Sequence, residues 1–283
     1  MGTRFNLLLP GIENSEGDLL FSSCIQELNR LENMLSCFMP GSDISMINEN
    51  AFNKPVEINN ELIDILTECL KYNEITQGAF DISIGKIIDH WNGQVKTEDI
   101  KKLAEATGTD KILIDHINKT IRFATPHIKL NLGGYGKGYA LQKIQDFLKG
   151  KGITSAFISF GESSVSCLGK HPHGDHWPVG IQDFYHKDKS IATIKLLNQS
   201  VSTSGSMEGN NLLIHPREGT PMKEKMLISV KSSSAITAEV LSTAIMLADD
   251  NQLEAIHETF QKEGYITIKY HNKKASIYKH NLS

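Results

Sequence analysis

The sequence predicts an α+β fold in which mixed or antiparallel sheets pack against helices. Apolar residues recur at helical spacing in the N-terminal part of the chain, whereas the C-terminal half is rich in short strands. Hairpins are mixed with helices, and the two kinds of element do not alternate strictly, which argues against a doubly wound parallel sheet. The 283 residues therefore form either one domain or two closely packed lobes.

In the N-terminal half, residues 18–38 have apolar side chains at helical spacing, and Pro40-Gly41 ends this helix. A second amphipathic helix follows Asn60 and ends before Gly78. The other elements predicted here are a short helix near 97–106 with Gly108 at its C′ position, a β-hairpin of Lys111–Asp115 and Thr120–Phe123, and a strand over His127–Asn131.

The C-terminal half begins with a helix from about Lys137 to Leu148, which stops at Gly150. Strands are predicted by their alternating or apolar runs over 155–160, 163–168, 177–182, 190–196 and 226–231. The last elements are helices over Ala235–Ala248 and Leu253–Phe260 and a closing hairpin of Tyr265–Tyr270 and Ala275–Tyr278.

Composition excludes several classes of function. The net charge of -4 and the pI near 6.3 offer no electrostatic basis for binding nucleic acid or an anionic membrane. No apolar run is long enough for a membrane span, and the first residues lack a secretory signal. We expect a cytoplasmic protein if the chain is complete, and a periplasmic or membrane-anchored one if an export segment has been trimmed. The four cysteines have no metal-type spacing, and we expect them to be reduced.

A glycine-rich segment, residues 131–140, is the first candidate for a ligand site. Gly133, Gly134, Gly136 and Gly138 allow the backbone to approach a phosphate closely, and Lys137 adds a positive charge. The segment follows a predicted strand and opens a helix, but its spacing fits neither the P-loop nor the dinucleotide-binding pattern. The alternative is that the glycines serve only close packing of the helix.

A second segment, residues 237–244, lies on a predicted helix. Glu239 and Thr243 are one helical turn apart, so their oxygens point from one face. Together with a glycine-cradled phosphate, these oxygens indicate a nucleotide bound with Mg²⁺. The alternative is that they are charged and capping groups near the start of a helix.

Two further polar segments have simpler interpretations. His171, His173 and His176 surround a proline and a glycine, and we expect a solvated hairpin tip there rather than a zinc site. Residues 202–206 consist of serine, threonine and glycine, which predicts a flexible loop that either binds a phosphate or simply turns.

The order of these segments resembles that of the FAD:protein FMN transferase (ApbE) family over nearly the whole chain. No single motif is specific, but the series in one order is hard to obtain by chance. The matching segments are Met1-Gly-Thr3, Ser42-Asp-Ile-Ser45 before Asn48, Gly78-Ala-Phe-Asp-Ile82, the Gly133–Ala140 loop, Trp177–Asp183, Thr203-Ser-Gly205, Pro216-Arg217-x-Gly219 and Leu241-Ser-Thr-Ala244.

The resemblance implies an ApbE-like, T-fold-related architecture and a Mg²⁺-dependent reaction. Members of the family cleave the pyrophosphate of FAD, transfer FMN to a threonine or serine hydroxyl of an acceptor protein and release AMP. The acceptor implied here is a membrane redox subunit, and no nucleic acid is involved. A metal that bridges phosphate oxygens suits such a displacement.

The resemblance also assigns roles to residues. It places His215 and Lys137 in catalysis, and a metal at the Gly134 carbonyl, Glu239, Ser242 and Thr243. The residues that it implies for FAD binding are Met1, Phe38, Ala79, Phe80, Asp81, Asn131, Lys137 and Leu213.

This chain departs from the family pattern at four positions. Asn131 and Glu239 each stand where the family has aspartate, and Leu212 and His215 stand where it has histidine and aspartate. Two alternatives to FMN transfer therefore stay open: a flavin-binding module with impaired catalysis, and a pyrophosphatase that yields FMN and AMP. From the sequence we expect Glu239→Ala to weaken Mg²⁺-dependent activity far more than folding.

Overall fold

The computed structural model describes residues 3–94, 99–186, 188–206 and 213–282. Its helices are α1 (Asn14–Leu35), α2 (Asp43–Asn50), α3 (Asn60–Ile75), α4 (Gly85–Trp91), α5 (Ile100–Ala106), α6 (Gly136–Gly150), α7 (Ala235–Leu247) and α8 (Asp250–Thr259). Its strands are β1 (Phe5–Leu8), β2 (Val56–Glu57), β3 (Ile112–Asp115), β4 (Thr120–Phe123), β5 (Ala156–Phe160), β6 (Ser164–Leu168), β7 (Trp177–Gln182), β8 (Ser190–Leu196), β9 (Ser200–Ser206), β10 (Ile214–His215), β11 (Thr220–Pro221), β12 (Met226–Ser232), β13 (Gly264–His271) and β14 (Lys274–His280).

A seven-stranded sheet with the order β1-β5-β6-β9-β12-β13-β14 forms the centre of the fold. Every neighbouring pair in it is antiparallel. The other sheets are the three-stranded β2-β4-β3 and the ribbons β7-β8 and β10-β11. The predicted α+β class with antiparallel sheets is therefore confirmed.

The central sheet is covered on both faces, as the alternation along β12 illustrates. Ile228 and Val230 point into the main core, which α1, α3, α6 and α7 share. Leu227, the residue before Ile228, points to the opposite face and packs in a second core under the β7-β8 ribbon with Trp177 and Ile194. Because α7 lies between the sheet and α6, nearly all its side chains are buried.

Most predicted elements are confirmed within a few residues of their bounds, and the N-cap of α3 is corrected. Asn59, rather than Asn60, precedes α3, and its side-chain oxygen accepts a hydrogen bond from the backbone N–H of Leu62 at 2.8 Å. Gly108 lies at the predicted C′ position of α5 with φ of 133°. Residues 97 and 98 of that predicted helix lie outside the described residues.

The predicted strand over His127–Asn131 is wrong. The segment forms a single parallel bridge, between Lys129 and Ile84, and otherwise pairs with a turn: Asn131 donates to the Ile82 carbonyl at 2.8 Å, and the Lys129 carbonyl accepts from Gly85 at 2.8 Å. The side chain of Asn48 satisfies both the N–H and the carbonyl of Leu130. The side-chain amide thus takes the place of a neighbouring strand.

The prediction of a flexible loop over residues 202–206 is also wrong. These residues belong to β9, which lies between β6 and β12 at the centre of the sheet. Serines alternate along the strand at 200, 202, 204 and 206, a period of two that indicates a strand with one hydroxyl-bearing face. Hydrogen bonds to neighbouring strands and to α7 satisfy this face, so the polar composition is compatible with burial.

The expectations of reduced cysteines and of no membrane-spanning segment can be compared with the structure. All four cysteines are free, as expected. Within the described ranges, no helix combines the length and hydropathy that crossing a membrane requires.

Candidate active site

A cavity of about 670 Å³ brings the two candidate segments together. It lies where the start of α6 meets α7, β9 and the loop before α4. Its lining residues are Phe38, Ala79, Phe80, Asp81, Ile84, Ile88, Asn92, Asn131, Gly133, Gly134, Lys137, Ser163, Thr203, Ser204, Gly205, Leu213, Ile214, Pro216, Glu239, Thr243 and Leu247. A volume of this size is typical of a small-molecule site.

The glycine-rich segment forms one wall of the cavity. The side-chain oxygen of Asn131 accepts a hydrogen bond from Gly133 N–H at 2.8 Å, which closes a local turn before α6. A Cβ on Gly134 would lie 3.3 Å from Thr243 Oγ1 and 3.4 Å from the Phe80 ring, so this backbone passes directly beside α7. Gly134 therefore combines tight packing with access to the cavity.

Gly138 has a packing role, which was the alternative interpretation of the glycines. A Cβ there would lie 2.6 Å from the Ala235 carbonyl oxygen and 2.7 Å from the Glu239 Cβ. Only glycine allows α6 and α7 to approach this closely. Glu239 and the start of α6 are consequently held in fixed positions relative to each other.

Glu239 is the most extensively bonded residue of the site. Its side chain is buried, and Oε1 forms an ion pair with the ammonium group of Lys137. Oε2 accepts hydrogen bonds from the Ser164 hydroxyl at 2.6 Å and the Ser202 hydroxyl at 2.8 Å. Because the carboxylate is both buried and paired, the expectation that Glu239→Ala weakens activity far more than folding does not fit this environment, which predicts a large loss of stability.

Hydroxyl groups continue from Glu239 along α7 and β9. Ser242 Oγ donates to the Glu239 carbonyl at 2.9 Å and lies 2.8 Å from Ser204 Oγ. Thr243 Oγ1 lies 3.3 Å from the same Ser204 oxygen and faces the cavity. Ser242 is fully buried and does not line the cavity, so Thr243 is the residue of this pair that reaches a ligand there.

The segment before α4 lies next to the glycine-rich segment and forms another part of the wall. Two hydrogen bonds hold Phe80: its carbonyl accepts from the Asn73 side-chain amide at 2.7 Å, and its N–H donates to the Thr76 hydroxyl at 3.1 Å. Asp81 accepts from Ser83 N–H at 2.6 Å, and burial raises the pKa of its carboxyl group above the ordinary value. Phe38 is 67% exposed and offers a free aromatic ring at the rim.

The structure does not bring every predicted site residue to this cavity. His215 lies on β10 between Ile214 and Pro216, which both line the cavity while His215 does not. Successive side chains of an extended segment point to opposite sides, which accounts for this placement. Leu213 lies on the wall. Met1 and Leu212 lie outside the described residues.

Sequence reasoning missed the serines of β6 and β9. Ser164 pairs with Ser202 and Ser166 with Ser200 across these strands, which places hydroxyl groups beneath Glu239. The spacing of two in both serine runs was the signal that could have revealed them.

The cavity offers scattered oxygen donors to a metal ion. In the described parts of the chain, no three His, Cys, Asp or Glu side chains cluster in a way that could hold a metal. His171 stacks edge-on against Trp177, with ring centroids 4.8 Å apart, in the turn between β6 and β7. The carboxylates on the cavity wall are those of Glu239 and Asp81, and the other donors to a cation there would be hydroxyl and carbonyl oxygens.

Comparison with known proteins gives a consistent family assignment. A family model described as the ApbE family matches residues 1–266. A protein named FAD:protein FMN transferase from Klebsiella pneumoniae (strain 342) is 24% identical over 95% of this chain and 82% of the relative. The protein of the same name from Buchnera aphidicola subsp. Schizaphis graminum is 29% identical over 87% of this chain and 77% of the relative.

Solved structures show the same fold. The ApbE protein from Thermotoga maritima superposes with a TM-score of 0.84 at 21% identity, covering 98% of this chain and 94% of that one. The flavin transferase ApbE from Vibrio cholerae gives 0.82 at 20% identity, covering 99% and 94%. The predicted ApbE-like architecture is therefore confirmed.

Proposed function

The chain belongs to the ApbE family, and on that premise we propose that it is an FAD:protein FMN transferase. The observation that carries the proposal is the cavity itself. It brings together two segments that are far apart in sequence. One supplies the glycine-rich start of α6 with the Lys137 ammonium group, and the other supplies the Glu239 carboxylate and the Thr243 hydroxyl. Such a set of groups suits a ligand with phosphates.

The proposed reaction is a phosphoryl displacement. The hydroxyl oxygen of a threonine or serine on the acceptor attacks the phosphorus of the FMN half of FAD, and the bond from that phosphorus to the bridging oxygen breaks. AMP leaves with the bridging oxygen and its electron pair, and the proton of the acceptor hydroxyl is released to solvent. The product is FMN joined to the acceptor by a phosphoester bond.

Mg²⁺ is the proposed cofactor, and the oxygen donors present fit it. Thr243 Oγ1 lies beside the Gly134 backbone, and Glu239 lies one turn earlier on the same helix. Carboxylate, hydroxyl and carbonyl oxygens are hard ligands of the kind that Mg²⁺ takes, with water and phosphate oxygens completing its shell. When bound, the ion would neutralise charge on the pyrophosphate. Ser242, which is buried and does not line the cavity, would help to orient Glu239 and Thr243.

The cavity residues divide into two proposed groups by chemistry. Phe38 and Phe80 offer aromatic surface for the flavin, with Ala79 and Leu213 as apolar wall. Asp81 and Asn131 offer polar atoms on the same side, and Lys137 offers positive charge to the phosphates. His215 is the residue predicted for proton transfer, and that role stays a prediction.

One observation favours a second candidate function. Because His215 does not line the cavity, the groups for binding flavin are better represented there than a group for removing the acceptor proton. A flavin-binding module that does not turn over is therefore the alternative to the transferase.

Fluorescence of the acceptor distinguishes these functions. The protein is incubated with FAD, Mg²⁺ and a threonine-bearing domain of a membrane redox subunit, and the denatured acceptor is examined on a gel. A transferase gives a fluorescent acceptor band, and a Thr→Val acceptor gives none. Free FMN and AMP without a labelled acceptor would indicate hydrolysis, and bound but intact FAD would indicate the module.

A further inference from the structure

We infer that Lys137 is a built-in counter-ion that competes with the divalent cation for Glu239. Cation binding then moves the lysine ammonium group from the carboxylate to the phosphates of FAD. The inference rests on the proposed function for the identity of these ligands. It adds an order of events at the site: the divalent cation binds Glu239, and the Lys137 ammonium group moves from Glu239 to the phosphates.

The two carboxylate oxygens of Glu239 face different groups. Oε2 accepts from Ser164 and Ser202 at 2.6 and 2.8 Å, and both serines belong to adjacent strands in the middle of the central sheet. Oε1 is the oxygen that Lys137 contacts, and Lys137 lines the cavity. A cation that enters through the cavity therefore meets the oxygen that the ammonium group already occupies.

Burial makes a positive partner for Glu239 necessary. The Glu239 side chain is only 4% exposed, whereas that of Lys137 is 28% exposed. A buried carboxylate without a counter-charge is strongly destabilising. Among the described residues on the cavity wall, Lys137 is the only lysine or arginine, so the remaining way to compensate Glu239 is a bound cation.

The two positive charges exclude each other at this oxygen. An ammonium group and a divalent cation that shared Oε1 would repel strongly across a short distance. Lys137 has a flexible stem and partial access to solvent, so its side chain can move away. Its backbone cannot, because the contact of Gly138 with Ala235 and Glu239 fixes the start of α6 against α7.

The displaced ammonium group remains useful to the reaction. Its stem starts in the first turn of α6, beside the glycine backbone that would approach the phosphates. Cation binding thus delivers the lysine to the phosphates of FAD, and loss of the cation returns it to Glu239. The site keeps its buried carboxylate compensated in both arrangements.

Cation binding without FAD tests this competition. Binding of Mn²⁺, used as a spectroscopic probe for the Mg²⁺ site, is measured by electron paramagnetic resonance for the wild type, for Lys137→Met and for Lys143→Met. Lys143 lies on the same helix but pairs with Glu61 at 3.2 Å, away from the cavity, and serves as the matched control. We expect Lys137→Met to bind Mn²⁺ more tightly than the wild type by roughly tenfold or more, because the competing charge is gone. Lys143→Met should bind like the wild type.

Unchanged or weaker Mn²⁺ binding by Lys137→Met would overturn the inference. Thermal unfolding of the same variants provides an independent readout: without a divalent cation Lys137→Met should melt below the wild type, and Mg²⁺ should raise its Tm by more. If Lys137→Met does not fold, Lys137→Arg replaces it. Its fork-shaped guanidinium pairs more firmly with a carboxylate, so it should weaken Mn²⁺ binding, and tighter or equal binding would contradict the inference.

Failure of the inference and failure of the proposed function give different results. Mn²⁺ binding is measured without FAD or acceptor and does not depend on turnover. If the wild type labels its acceptor but Lys137→Met binds Mn²⁺ no more tightly than the wild type, only the competition is refuted. A protein that shows the competition but never labels an acceptor refutes only the transferase.

Discussion

Glu239 illustrates how a single side chain can be both structural and chemical. Its carboxylate has three partners from α6, β6 and β9, so it joins the glycine-rich helix to the sheet. The same carboxylate is the single acidic ligand proposed for Mg²⁺. The two roles could not be separated from the sequence alone, because Glu239 is simply the one acidic residue of an apolar helix.

Glu239→Ala is therefore expected to lower stability as well as activity. The change leaves the Lys137 ammonium group without its partner and two serine hydroxyls without their acceptor, which we expect to cost about 2–4 kcal/mol of unfolding free energy. Urea unfolding followed by circular dichroism measures this loss. Ser155→Ala removes a hydroxyl that donates to the Lys170 carbonyl at an exposed site, and this control should stay close to the wild type.

A loss of less than about 0.5 kcal/mol for Glu239→Ala would contradict this account. That result would restore the expectation drawn from the sequence, in which Glu239 serves the metal and contributes little to folding. It would also mean that the pairing with Lys137 is not needed to keep the carboxylate buried.

The contact between α6 and α7 determines the geometry of the site. Gly138→Ala would force a methyl group to within 3 Å of the Ala235 carbonyl and the Glu239 Cβ. Since the backbone of α7 cannot yield easily, we expect a loss of about 1–3 kcal/mol in unfolding free energy and weaker FAD binding. Gly150→Ala, near the end of the same helix, meets no atom within 4 Å and should leave stability unchanged or slightly raised. Equal stability of the two variants would refute this packing role.

Glu61 of α3 joins three helices of the main core, α1, α3 and α6. Its carboxylate accepts hydrogen bonds from Arg30 of α1 at 2.6 and 2.9 Å and from the Tyr139 hydroxyl of α6 at 2.8 Å. Lys143 of α6 lies 3.2 Å away. Arg30 is the largest of the causes that lower the pKa of Glu61 from 4.5 to about 2.

Glu61→Gln should destabilise the protein in a pH-dependent way. The pKa is lower in the folded state, so the ionised carboxylate stabilises folding above the unfolded pKa of 4.5, and this contribution is lost as the pH falls through about 2. Allowing for screening by solvent, we expect about 1–2 kcal/mol at pH 7. Urea unfolding of wild type and variant at pH 7 and at pH 3 measures the difference, with exposed Glu105→Gln as control. A difference that did not shrink at the lower pH would exclude this ion pair as its source.

Elements with a clear period were predictable, and those that depend on distant partners were not. The helices α1 and α3 follow from apolar spacing and the closing hairpin from alternation. The segment around Lys129 could not be placed because its partner is the Asn48 side chain together with a turn, and no local pattern encodes that pairing. The strand β9 was missed because its serines suggest a solvent-exposed segment. Their burial is understood only once Glu239 is known to accept a hydrogen bond from Ser202.

The candidate site was predictable to a similar extent. The pairing of the glycine-rich segment with Glu239 and Thr243 was an inference from chemistry that the cavity supports. The contact between Lys137 and Glu239 could not be predicted, because it depends on the crossing of α6 and α7 that Gly138 permits. No local sequence pattern indicates how these two helices cross.

The molecule as a whole combines a rigid sheet with a site at its helical face. The central strands beneath the cavity are buried on both faces, and the groups that would contact substrate lie mainly on α6, α7 and the segment before α4. Such an arrangement holds catalytic groups in place while leaving the cavity open to an acceptor chain. We propose that FMN is transferred from FAD to that acceptor in this cavity.

The stoichiometry of AMP and acceptor-bound FMN tests this claim most directly. Purified protein is incubated with FAD, Mg²⁺ and the threonine-bearing acceptor, AMP is quantified by chromatography and labelled acceptor by mass spectrometry. We predict equal amounts of AMP and of acceptor carrying one phosphoester-linked FMN, with both lost in Thr243→Ala. AMP accompanied only by free FMN, or saturable FAD binding with no AMP at all, would contradict the transferase.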